Sequence, residues 1–212
     1  WALHQLDYRV CVSDPIRQRL IDRGFEPNRL FSIYNGLDFS HVVPKTDRAA
    51  YFAQFGYTVH EGDVIAGIAA RLDPVKDIPT LIRAVALAQK ACPQLRLAIA
   101  GEGMERKKLE ALAAELGIAD SVFFLGWVND LDSFYGALDI NTLSSLSEAF
   151  PYALPEGARA HLATVASNVG GVPAIIEHGV TGLLIEPGDV RMLAAYLARF
   201  ALDADYRHEM GE

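Results

Sequence analysis

Arg71 and Lys76 lie in the segment Arg71-Leu-Asp-Pro-Val-Lys76, between an apolar run and a helical pattern that begins near Ile78. Cations at a helix N-terminus oppose the positive end of the helix dipole, so this placement is locally unfavourable unless an anion joins them. A phosphate would suit the arrangement. The spacing is equally compatible with two solvated side chains, or with Arg71 paired to Asp73. A second constellation is Glu148 and Glu156, eight residues apart around an Ala-Phe-Pro turn. On one continuous helix they would stand roughly 12 Å apart, rotated about 80° from each other, so both could face one elongated ligand. That exceeds the roughly 5 to 9.5 Å of paired glycosidase carboxylates, which argues against a hydrolytic acid/base pair. The competing explanation is a dipole partner at Glu148 and a surface charge at Glu156. Gly101-Glu102-Gly103 could let backbone approach a ligand, yet lacks the third glycine of the dinucleotide fingerprint. Trp127, just after Gly126, could line a base pocket or simply pack, and Gly170-Gly171-Val172-Pro173 could expose amide donors or reverse the chain.

The elements that must carry these loops alternate. Short β-branched runs are predicted at Val64 to Ala69, Leu95 to Ala100, Val122 to Leu125, Ile140 to Leu143, Thr164 to Ser167 and Gly182 to Ile185. Helices are predicted from Ile78 to Ala91, Glu105 to Leu116, Asp130 to Ala137 and Pro151 to Ala160, near Val172 to Ile176, and from Val190 onward. Pro151 suits a first helical position because it has no N–H to leave unpaired. Ile78, Leu81, Ile82 and Val85 follow the stripe of a helix covering a sheet, as do Leu109, Leu112, Ala113 and Leu116. The strands lack polar alternation, so the fold class is α/β, a parallel sheet buried on both faces, with ligands received beyond the carboxyl ends of the strands. Ahead of this, Tyr8 to Val12 and Leu30 to Tyr34 read as strands around a Pro15 to Arg23 helix. A domain boundary is placed near residue 60, giving units 1–60 and 61–212.

The 212 residues, 51% hydrophobic, suffice for a well-buried core and exclude a disordered or fibrous chain. A net charge of −8 and a pI near 5.2 argue against nucleic-acid binding, which needs many clustered cations. Cys11 and Cys92 have no metal spacing and read as free thiols of a reducing compartment. The six histidines are scattered, and no Asp-x-Asp pair or nucleophile–base signature stands out, so neither a metal nor a covalent nucleophile is expected. Trp1 is not a natural start, and an upstream segment is expected.

Taken in order, these loops resemble the GT4-type family of retaining GT-B glycosyltransferases. The resemblance is carried by Asn35-Gly36-Leu37-Asp38, Arg71-Leu72 with Lys76, Gly101-Glu102-Gly103, the span from Glu148 to Glu156, and Gly170-Gly171-Val172-Pro173 with Gly179 to Leu184. It implies the Rossmann-like C-terminal half of a GT-B fold. Arg71 and Lys76 would hold the diphosphate of a UDP- or GDP-sugar, Glu156 the ribose hydroxyls, and Glu148 the donor sugar. Gly101 and Phe150 would add donor contacts, and the base would lie near Trp127 and Val128. Catalysis would fall to Glu148, Arg71 and Lys76, with no cofactor and no metal. The resemblance further implies that residues 1 to about 40 are a remnant of an acceptor domain that the chain otherwise lacks, that the last helix is truncated, and that the fragment binds donor with little transfer. A cytoplasmic enzyme, peripheral to the inner face of a membrane when whole and acting in polysaccharide synthesis, is the expectation. The chain departs from the pattern at Asp77 and His161, where glycine is usual, at Ala149 and Pro151, which replace the glycines flanking Phe150, and at Ala163, where proline is frequent. Rival expectations are a non-catalytic nucleotide-sugar-binding module, and a sugar-nucleotide epimerase, which would need further acid/base groups.

Overall fold

The computed structural model describes residues 6–40 and 42–212. Trp1, the next four residues of the expected 1–60 unit, and His41 lie outside them. The N-terminal part forms a two-stranded parallel sheet of β1 (Arg9–Cys11) and β2 (Leu30–Ser32), joined by α1 (Asp14–Asp22). Cys11, Phe25 and Leu30 make its small core, against which Ile16, Leu20 and Ile21 of α1 and its C-terminal turn pack.

A six-stranded parallel sheet follows, built from β3 (Val64–Ala69), β4 (Leu95–Ala100), β5 (Val122–Gly126), β6 (Ile140–Leu143), β7 (Ala163–Ser167) and β8 (Leu183–Ile185). Its spatial order is β5-β4-β3-β6-β7-β8. The chain runs outward from β3 through β5, then returns to β6 beside β3 and runs outward the other way. This reversal makes a topological switch point between β3 and β6, and ligands of such sheets are received at its carboxyl-end crevice.

Both faces of the sheet are covered, as the continuous apolar strands require. Along β4, Leu97 and Ile99 pack with α3 (Ile78–Ala88), α4 (Arg106–Glu115) and α7 (Val190–Leu202), while Ala98 and Ala100 face the opposite core. Leu81, Ile82 and Val85 on α3 have no exposed surface, and burying such side chains stabilises by about 1.5–3 kcal/mol each. The opposite core holds Phe123, Phe134 and Tyr135, with contributions from α2 (Arg48–Ala53) and α5 (Leu131–Gly136). Residues 43–59, ahead of the expected boundary, join this core through Val43, Tyr51 and Phe52, with Phe55, Tyr57 and Val59 against it. Tyr57 stacks on Phe123 at 4.6 Å between ring centroids.

Helix α6 (Ala153–Arg159) begins two residues after Pro151, later than its sequence suggests. Asn141 of β6 anchors its first residue by donating from Nδ2 to the Ala153 carbonyl at 2.9 Å. The expected helix near 172–176 is a single 3₁₀ turn, Val172–Ala174. The last expected helix divides in two: Asp203 takes an extended conformation and its carboxylate caps α8 (Ala204–Gly211) by accepting from the Tyr206 N–H at 2.9 Å.

Candidate functional site

The loops after β3 and β6 flank the switch point, and hydrogen bonds tie them together. Leu146 N–H donates to the Val75 carbonyl, and the Ser144 hydroxyl to the Lys76 carbonyl, both at 2.8 Å. Lys76 ends a 3₁₀ turn, Pro74–Lys76, and so reaches across to the second loop. Its ammonium donates to Glu148 Oε1 at 2.6 Å, and the Ser145 hydroxyl donates to the same oxygen at 2.6 Å. The side chains of Lys76 and Glu148 are only 19% and 10% exposed, so this pair is far better shielded from water than an ordinary surface ion pair.

A cavity of about 300 Å³ opens beside this pair. Arg71, Lys76, Gly101, Trp127, Val128 and Glu156 all line it. The structure therefore brings together six of the eight site residues expected from the sequence and the family resemblance, with Glu148 joined to them through Lys76. Phe150 is not among the lining residues. Its ring instead sits edge-on to Tyr34 and to Tyr152, at 6.3 and 6.0 Å between centroids, which ties this loop to the N-terminal segment. Ser13 makes the same connection: fully buried at the start of α1, it donates to the Ala149 carbonyl at 3.1 Å instead of capping its own helix.

Two local expectations change. Glu148 and Glu156 do not share a helix: Glu148 lies in the loop ahead of the Ala149-Phe150 bend, whereas Glu156 lies in the first turn of α6. The 12 Å separation expected for one continuous helix does not apply. Arg71 is 77% exposed and forms an ion pair with Asp73 at 2.9 Å, so it stands at the mouth of the cavity, bound by a neighbouring carboxylate.

The glycines shape loops more than they offer donors. Gly101 has a φ of 140°, and a Cβ there would overlap the Ala70 carbonyl, so glycine lets the loops after β3 and β4 pack backbone to backbone. Its N–H donates to the Gly126 carbonyl at 2.7 Å, which removes it as a donor to a ligand. A Cβ on Gly170 would likewise overlap the Glu148 carbonyl, and the Gly171 N–H donates to that oxygen at 3.4 Å. The Gly-Gly pair thus supports the acidic loop from behind.

Three contributors are not among the site residues expected from the sequence. Tyr135 donates its phenol proton to Glu156 Oε2 at 2.9 Å, and burial, then the carboxylate charge, push its pKa well above the usual value. Ser145, two residues past the end of β6, donates to Glu148 Oε1 at 2.6 Å and so holds the acidic loop beside Lys76. Glu102 lines the cavity while its carboxylate accepts from Arg106 at 2.9 Å, so its charge is locally offset. Among the described residues no group of three or more His, Cys, Asp or Glu comes together. Cys11 and Cys92 are buried free thiols.

A parallel sheet whose switch-point cavity is lined by Lys76, Arg71 and Glu156 defines a Rossmann-like domain. The model of the family described as glycosyl transferases group 1 matches residues 52–212, and the chain belongs to that family. Among its relatives, the D-inositol 3-phosphate glycosyltransferase of Streptomyces scabiei is 31% identical over 197 residues, covering 88% of this chain and 44% of the relative. The N-acetyl-alpha-D-glucosaminyl L-malate synthase of Bacillus anthracis is 27% identical over 233 residues, covering all of this chain and 60% of the relative. Among solved structures, Anabaena HepE in complex with UDP and glucose superposes with a TM-score of 0.86 at 27% identity, covering 97% of this chain and 56% of that one. The C-terminal domain of a glycosyl transferase group 1 family protein from Francisella tularensis superposes with a TM-score of 0.73 at 25% identity, covering 84% and 93%. The chain therefore spans about half the length of the curated relatives it matches, and its architecture is that of one half of a GT-B glycosyltransferase. Among the described residues no helix is long and apolar enough to cross a membrane.

Proposed function

We propose that this chain is the donor-binding half of a retaining glycosyltransferase that transfers a sugar from a UDP-sugar to a glycan, lipid or other acceptor without a metal ion. The observation that carries the proposal is the Lys76–Glu148 pair at the switch point, joined to a cavity that Arg71 and Glu156 also line. The UDP complex of the HepE neighbour supports uridine over guanosine as the base.

In this reading the diphosphate takes the Lys76 ammonium from Glu148 and the Arg71 guanidinium from Asp73. As the glycosidic bond to the sugar breaks, negative charge collects on the leaving diphosphate. Two cations already in position stabilise that charge more than they stabilise the ground state, which lowers the barrier. Glu148, released from Lys76, turns to the hydroxyls of the donor sugar. Glu156 accepts from the ribose hydroxyls, and the base rests against Trp127 and Val128. The donor domain starts at about residue 43, since Val43, Tyr51 and Phe52 share its core, and the residues ahead of that are the remnant of an acceptor-binding half. The whole enzyme is cytoplasmic and works at the inner face of a membrane, while this chain alone binds donor and transfers little.

Calorimetric titration with UDP, GDP and ADP, each with Mg²⁺ and with EDTA, tests the reading. UDP is expected to bind tightest, with an affinity that EDTA leaves unchanged. Equal affinity for all three, or binding that EDTA abolishes, would overturn it.

A further inference from the structure

We infer that Tyr135 is a positioning residue that orients Glu156 to discriminate ribose from deoxyribose. The inference deepens the donor-site reading above and rests on it. Tyr135 lies on α5 with 1% of its surface exposed, and its hydroxyl donates across to Glu156 on α6 at 2.9 Å. A buried phenol must find an acceptor, and this one has found the carboxylate that lines the cavity.

The consequence for Glu156 follows from its chemistry. A glutamate has three side-chain torsions, and an ionised carboxylate offers about four acceptor positions on two oxygens. The phenol engages Oε2 and fixes the side chain from the core side, so the remaining acceptor positions serve a ligand in the cavity. Two adjacent hydroxyl donors, such as the 2′ and 3′ hydroxyls of a ribose, match a carboxylate held in this way. A glutamate without that tether would have to order its own torsions on binding, and part of the gain from the hydroxyls would be lost. Tyr135 can act as donor to Glu156 because its phenol stays protonated, and it is not among the residues that line the cavity.

The experiment compares UDP with 2′-deoxy-UDP, by calorimetry, on the intact chain and on Tyr135→Phe. The intact chain is expected to prefer UDP by about tenfold, the scale of one hydrogen bond to a charged acceptor. Tyr135→Phe is expected to narrow that preference to about threefold or less, because it leaves the carboxylate in place but untethered. Glu156→Gln removes the charge and is expected to narrow it as far. Should Tyr135→Phe unfold below the assay temperature, Glu156→Asp carries the same expectation, since its shorter side chain cannot reach the phenol and the cavity together. A full preference retained in Tyr135→Phe or Glu156→Asp, alongside its loss in Glu156→Gln, would overturn the positioning role and leave the donor-site reading standing. Absence of any preference in the intact chain would overturn the ribose assignment itself.

Discussion

The Lys76 ammonium and the Glu148 carboxylate stand 2.6 Å apart, although 72 residues separate them in sequence. The pair closes the gap between the two loops at the switch point. It also means that the cation offered to a phosphate already has a carboxylate to leave. Replacing that carboxylate by a neutral amide removes the competitor and keeps the shape. Glu148→Gln is therefore expected to bind UDP about threefold more tightly than the unaltered chain. Discrimination between UDP and a UDP-sugar is expected to weaken in the same variant, as measured by parallel calorimetric titrations. A tenfold loss of UDP affinity would show that Glu148 holds Lys76 in its binding position instead of competing for it.

Gly170 supports the Glu148 loop from behind, and a methyl group there would overlap the Glu148 carbonyl. With a φ of 53°, the position is also one that L side chains rarely adopt. Gly170→Ala is expected to cost about 2 kcal/mol or more of stability and to displace the acidic loop. Its thermal midpoint is expected to fall, and its preference for a UDP-sugar over UDP with it. An unchanged preference would mean that the loop is held from elsewhere.

Asp77 and His161 have φ values of 45° and 53° and are the two non-glycine residues with positive φ among those described. Both stand where the related pattern carries glycine. Left-handed backbone costs an L residue about 1–2 kcal/mol, less for aspartate, and glycine returns some of the gain through its freer unfolded chain. His161→Gly is expected to raise the thermal midpoint by about 1–3 °C, and Asp77→Gly by less. A drop in the midpoint for His161→Gly would indicate that its contact with Glu212, at 3.7 Å, outweighs the backbone strain.

Tyr51 and Tyr135 set an alkaline limit. Burial, with the Asp130 charge second, pushes Tyr51 up to about 12, and burial raises Tyr135 well above the ordinary phenol range. A phenol harder to ionise in the folded state contributes stability that is complete below the unfolded value near 10 and lost as pH rises toward the folded value. Urea midpoints are expected to hold to about pH 9 and to fall between 10 and 12, less steeply in Tyr135→Phe. A flat profile through pH 11 would contradict the burial of both rings.

The sheet was legible because its strands are continuous apolar runs: β4 and β6 fall where Leu95 to Ala100 and Ile140 to Leu143 predict. The loops between those runs were legible too, and Lys76, Arg71 and Glu156 from them line one cavity. Partners were not legible, since side-chain pairing across the switch point depends on which strands become neighbours. Nothing near Tyr135 in sequence marks it as the donor to Glu156, 21 residues away on another helix. Helix α6 starts late because the Glu148 loop is held by contacts from Lys76, Ser145, Ser13 and the Gly170-Gly171 pair, all outside the reach of local propensity. Phe150 reads as a ligand contact by its place in the motif, yet its ring is engaged by Tyr34 and Tyr152.

The central claim is that the Lys76 ammonium receives the diphosphate, and thermal unfolding of the intact chain and of Lys76→Ala with saturating UDP tests it most directly. At a hundredfold excess over its dissociation constant, UDP should add about 2.7 kcal/mol of stability to the intact chain, a rise of about 5–10 °C. Lys76→Ala should show a rise of about 1 °C or less at the same concentration. An equal rise in both proteins would contradict the account.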